Sequence, residues 1–146
     1  MWEVEIIENK DCLFTRVHEN FISSKDKLPK STAFTNTPKD GDNLSSDWSK
    51  YCTAESSREL IGKQRKPNGS LKDFKSFFIW KMNVGRVRDD INPKQVVEHN
   101  PIFNRPEDYY VPNNRAHSII IGEKPNNSEF RVTLLKIGEW AIGPNY

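Results

Sequence analysis

The chain has 146 residues, 35% of them hydrophobic, with four Trp, four Tyr and eight Phe, which sets one domain with a modest, aromatic-rich core. No apolar run approaches the roughly 18 residues of a membrane span, and the acidic opening Met1-Trp2-Glu3-Val4-Glu5 lacks a signal peptide's basic and apolar regions, so a soluble cytoplasmic protein with no membrane partner is expected. Net charge is only +2, yet residues 63–88 carry eight Lys or Arg against Asp73 alone, a local +7 that leaves −5 for the remainder; such polarity suits phosphate-bearing partners and equally describes a solvated lysine-rich loop.

In chain order, Trp2, Val4 and Ile6 alternate with Glu3, Glu5 and Ile7 as in a half-buried strand. Leu13 to Val17 is a second short apolar run, and the turn-forming "ENKD" at 8–11 predicts a hairpin between the two. Residues 23–43 read as a long polar loop with a strong turn at "PKDGDN" (38–43) and a short strand around Ala33-Phe34; with Leu28, these two are its burying residues. After "LSSDWSKY" (44–51), a helix is expected near 53–62, with Thr53 as N-cap, Glu55 in its first turn and Gly62 at its end. "SFFIWKM" (76–82) is a strand, and "VGRVRDDI" (84–91) is read as its extension past a glycine kink or as a strand pairing back on it. "KQVVEHNPI" (94–102) and Ala116 to Ile121 are two further strands, separated by the proline-broken loop "FNRPEDYYVPNNR". Phe130, Leu134, Ile137, Trp140 and Ala141 share one face of a closing amphipathic helix at 128–141 capped by Ser128, with "RVTLL" (131–135) also compatible with a strand. Five to seven short strands with two helices make a single α+β domain around a mixed or mainly antiparallel sheet.

The three histidines, His18, His99 and His117, each stand at the end of a predicted strand in a polar phrase. Strand termini on one sheet edge converge, so these are the candidate acid and base groups, imidazole being the side chain that exchanges protons near neutrality. Arg16 lies two residues from His18 and therefore on the same side of the sheet. It is a candidate phosphate clamp; alternatively its stem packs on an aromatic ring and its head pairs with Asp47. "LSSDWSKY" gathers Ser45, Asp47, Trp48 and Tyr51 as candidate ligand-binding residues. The two rings can stack a base or nicotinamide or serve as core and rim, and Asp47 can orient a histidine or cap the next segment. Arg86 is a second candidate for phosphate, and Asn113 and Asn114 supply amide donors in what is also ordinary turn composition.

Other chemistries find less support. Three histidines with Glu98 or Asp47 could ligate zinc, but no metal-binding spacing occurs and no metal is expected. Cys12 and Cys52 form no Cys-x-x-Cys pair, Cys12 reading as a small buried hydrophobe. No nucleophile elbow and no glycine-rich phosphate loop is present.

The phrases "RVH" (16–18), "AFT" (33–35), "LSSDWSKY", "VGRVRDD" (84–90), "VVEHNPI" (96–102) and "NNRAHSIIIG" (113–122) resemble a pattern of small bacterial proteins of unassigned function, a likeness that implies no activity. More distantly, the order of parts is similar to that of ADP-ribosyltransferase-like toxins. That resemblance implies NAD as ligand, with Arg16, His18 and Ser45 in the roles of the family's Arg or His and its Ser. Glu55 and Glu59 are the glutamates in reach, and neither stands in a Glu-x-Glu phrase.

Three readings follow. The first is a metal-independent, cofactor-free enzyme acting on a phosphodiester or nucleotide, such as an RNase of the toxin type, through His18, His99, His117 and Arg16, with RNA or a nucleotide as ligand and room for a neutralising or activating protein. The second is an NAD-dependent transferase with its cleft at Arg16, His18, Ser45 and Tyr51. The third is a non-enzymatic interaction domain whose basic stretch meets an acidic partner.

Overall fold

A computed structural model describes residues 1–38, 41–105 and 111–144. The turn read at 38–43 and the loop at 103–115 fall partly outside these residues. Six strands form one antiparallel sheet: β1 (Cys12–His18), β2 (Leu44–Trp48), β3 (Phe77–Asn83), β4 (Val96–His99), β5 (His117–Ile121) and β6 (Gly138–Ile142), in the spatial order β4-β5-β2-β1-β3-β6. Among the described residues three α-helices complete it: α1 (Ala54–Ile61), α2 (Val84–Asp90) and α3 (Ser128–Ile137). The α+β class expected from the sequence is present, and of the mixed or mainly antiparallel sheet expected it is the antiparallel form that is observed. No helix among the described residues is long and apolar enough to cross a membrane.

Strand alternation divides the sheet into two unlike faces. Leu13 and Val17 of β1, Leu44 and Trp48 of β2, Trp80 and Met82 of β3, Val97 of β4 and Ile120 of β5 join Val84, Val87, Ile91, Phe130, Leu134 and Ile137 in the main core. This face is covered by α2 and α3. The opposite face presents Phe14, Arg16 and His18, then Ser45 and Asp47, then His117. Here α1 covers only part of the sheet, packing Ala54 against Phe14 and Ile79. The rest of that face, around β2 and β5, is left open as a cleft.

Local chemistry explains where each helix begins. Thr53 and Ser56 cap α1 reciprocally: the Thr53 hydroxyl accepts from Ser56 N at 3.1 Å and Ser56 Oγ accepts from Thr53 N at 2.9 Å. The helix predicted at 53–62 is therefore present. At 84–91 the structure corrects the expected strand. Asn83 Oδ1 accepts from Arg86 N at 3.0 Å and starts α2, whose Val84 and Val87 point into the core followed by Ile91, a helical spacing of three and four. Gly85 is no kink; it lets the Asn9 carbonyl approach.

Three further corrections concern pairing. Residues 2–7 form no strand and no hairpin with β1, because β1 is already paired to β2 on one side and β3 on the other. Their segment is held by Glu5 and by the buried Ile7, leaving Val4 and Ile6 exposed. Ala33-Phe34 is a 3-10 turn, not a strand, and it drops Phe34 fully into the core. The C-terminal helix ends at Ile137, and its cap is Asn127, one residue before the expected Ser128. Trp140 is apolar for a different reason: it sits in the edge strand β6, opposite Trp80, with ring centroids 5.1 Å apart.

Candidate active site

The antiparallel register of β2 and β5 sets Ser45 opposite Ile119 and Asp47 opposite His117. Ser45 and His117 are thus diagonal neighbours on the open face, a separation polar side chains bridge. Ser45 Oγ lies 2.8 Å from His117 Nε2, and His117 Nδ1 lies 2.7 Å from the carbonyl oxygen of Asn100. A carbonyl can only accept, so Nδ1 carries a proton, and in the neutral ring Nε2 accepts from the serine hydroxyl. His117 is only 4% exposed, while Ser45 is half-buried and borders the cleft.

Asp47 organises the floor beside this pair without touching the imidazole. It accepts from Arg16 Nη2 at 3.1 Å, from Asn114 Nδ2 at 2.8 Å and from Ser57 Oγ. Asn114 Oδ1 in turn accepts from Ala116 N at 3.1 Å, which fixes the turn immediately before His117. Arg16 is therefore held by Asp47, as one of the two sequence readings had it, and its Nε is buried with no hydrogen-bond partner among the described residues. That arrangement is a guanidinium pinned at one corner with donor capacity left over.

The cleft consists of two adjoining lobes of about 340 and 460 Å³, both bordered by Arg16, Thr37, Ser45 and Phe77. The smaller lobe is aromatic and hydroxyl-rich, with His18, Phe14, Phe21, Thr32 and Thr35. His18 stands edge-on to Phe77 at 5.0 Å between centroids, its Nδ1 accepting from Asn20 N at 3.1 Å. The larger lobe holds His117, Asn114, Gln64, Lys72 and Arg105. From the basic stretch 63–88, Lys72 reaches the cleft, its Nζ donating to Gln64 Oε1 at 3.1 Å.

Other sequence candidates lie elsewhere. His99 pairs with Ser118 in the ladder and so faces the main core, opposite to His117. Its Nδ1 accepts from Glu5 N at 3.0 Å, its Nε2–H donates to Arg115 O at 2.6 Å, and it packs against Trp48 and Tyr51. Both ring nitrogens are thereby engaged. Trp48 is a core residue whose Nε1 donates to Asp11 at 2.9 Å. Tyr51 donates to Glu5, whose carboxyl is held below its ordinary range by the Lys50 and Tyr51 hydrogen bonds. Tyr51 therefore does not share a cleft with Arg16 and Ser45. Arg86 sits on α2, bonded to Asp90 at 3.0 Å and Lys136 O at 3.3 Å. Asn113 bonds the Asn104 loop and leaves Asn114 as the amide at the site.

Among the described residues no group of three or more His, Cys, Asp or Glu stands together as a metal site. Cys52, behind the cleft floor, has its thiol pushed up to about 12 by burial and by the charge of Asp47, partly offset by Arg16; it is an inert thiol at neutral pH. Sequence reasoning placed Ser45 as a ligand contact and, through the transferase resemblance, as that family's Ser, but did not pair it with His117. The serine and histidine are 72 residues apart, and no spacing signals their meeting. Comparison with known protein families, with curated proteins and with solved structures finds no match to this chain.

Proposed function

We propose that this protein is a metal-independent enzyme acting on a phosphodiester or nucleotide, with His117 as the proton-transferring group and Arg16 as the anchor for the substrate's anion. The observation that carries this reading is His117 itself: a tautomer set by the Asn100 carbonyl, with Nε2 directed at a hydroxyl on the border of a cleft. A base of this kind needs a fixed ring and a lone pair within about 3 Å of the proton it takes. Arg16 and Lys72 bring cationic groups to the cleft, and the aromatic lobe with Phe21 and Phe77 suits a nucleobase.

The test is turnover of a panel of short RNA, dinucleotides, mononucleotides and NAD, with and without a chelator. Turnover of one class that resists the chelator and falls roughly 10²- to 10⁴-fold in a folded His117→Gln variant is expected. Failure to turn over any member, or a His117→Gln variant as fast as the wild type, would overturn it. Turnover of NAD alone would instead favour the transferase reading, which rests on Arg16, His18 and Ser45 bordering one lobe.

A further inference from the structure

We infer that Ser45 is the nucleophile of this site, attacking the substrate to form a covalent enzyme adduct that water then resolves. The inference deepens the functional reading above and rests on it for the substrate class, but its own support is geometric.

Three serines on β2 and β5 allow a comparison. Ser46 and Ser118 lie on the main-core face, Ser46 also bordering the smaller lobe; Ser118 Oγ donates to the Ala116 carbonyl, and Ser46 Oγ is buried with no hydrogen-bond partner among the described residues. Ser45 alone of these three faces the open side, borders both lobes of the cleft and shares its proton with an imidazole. A serine hydroxyl is a weak nucleophile until a base in hydrogen-bond contact accepts its proton, and the base must itself be oriented by a third group. In the familiar Ser-His-Asp arrangement that third group keeps the proton on Nδ1 so that Nε2 is free to receive. The Asn100 carbonyl likewise holds the proton on Nδ1 here, since it can only accept.

The chemistry balances without a further reagent. As Ser45 Oγ forms its bond to phosphorus, its proton passes to His117 Nε2. The phosphorus–oxygen bond to the leaving group breaks, and His117 returns that proton to the departing oxygen. Water next attacks the adduct, delivering a proton to His117 while the bond to Oγ breaks and the serine is protonated again. Arg16 borders both lobes and has terminal N–H groups beyond the one taken by Asp47, with which it would meet the charge that builds on the non-bridging oxygens.

The experiment labels the intact protein with a fluorophosphonate probe, which phosphonylates an activated serine with loss of fluoride and needs no knowledge of the natural substrate. Mass spectrometry with peptide mapping should find one adduct, on Ser45. The rate of labelling should fall at least about 100-fold in His117→Gln, and the adduct should vanish in Ser45→Ala. Wild-type protein that stays unlabelled at Ser45 under millimolar probe overturns the inference. So does a Ser45→Ala variant that turns over the phosphodiester at the wild-type rate while His117→Gln does not; the base would then act on water, and the functional reading would survive without the nucleophile. Conversely, labelled Ser45 in a protein that turns over no phosphodiester or nucleotide leaves the nucleophile standing and removes the substrate class.

Discussion

His99 and His117 show how one side chain takes two roles according to what its second nitrogen meets. Both rings give one N–H to a backbone carbonyl, Arg115 O for His99 and Asn100 O for His117. The remaining nitrogen of His99 accepts from a backbone amide, Glu5 N, whereas that of His117 accepts from a hydroxyl. An amide bond is a structural commitment; a hydroxyl is a proton that can be transferred. Replacing His99 by Phe keeps the ring against Trp48 and Tyr51 but orphans the Glu5 amide and the Arg115 carbonyl. A loss of about 1–3 kcal/mol in urea unfolding is expected, with turnover per folded molecule unchanged.

At the scale of elements, the junction of α3 and β6 is decided by one residue. A Cβ at Gly138 would lie 2.2 Å from Trp80 Nε1 and 2.9 Å from the Lys81 carbonyl. The glycine lets the chain leave α3 and lie down beside β3 at once, and so ends a helical pattern that the apolar residues alone would carry to Ala141. Gly138→Ala forces Trp80 or β6 to move in a packed core, and overpacking of this kind costs about 1–3 kcal/mol or more. A lowered thermal midpoint and faster amide exchange in β6 would show it. The element-scale expectations that hold have their own local signals: the Thr53 cap of α1, and the apolar strands β1, β3 and β5. Those that do not, at 2–7 and 84–91, had periodicity or a glycine that a single segment cannot interpret, because pairing capacity and core contact belong to the neighbours.

For the whole molecule, Asp47 is the tie. It bonds β1 through Arg16, α1 through Ser57 and the approach to β5 through Asn114. With its side chain 5% exposed and that of Arg16 21%, removing the charge strands a largely buried cation. Asp47→Asn should therefore cost about 2–4 kcal/mol, toward the lower part of the range for broken buried pairs because Arg16 keeps some water. Chemical denaturation measures the loss, and turnover should drop as well, since Arg16 and the turn before His117 lose their common anchor.

The sequence by itself determined the α+β class, most of the strands, the first helix and the face shared by Arg16 and His18, because each rests on contacts within a few residues or on a period of two. It also singled out Ser45, Asp47, Asn114 and His117, though not their partnership. Tertiary structure alone decided that His99 turns its back on the cleft, that Trp48, Tyr51 and Arg86 lie outside it, and that Ser45 meets His117. Strand order and register place those groups, and both depend on which hydrophobic faces pair across long stretches of chain; no local pattern encodes a diagonal contact between residues 72 apart.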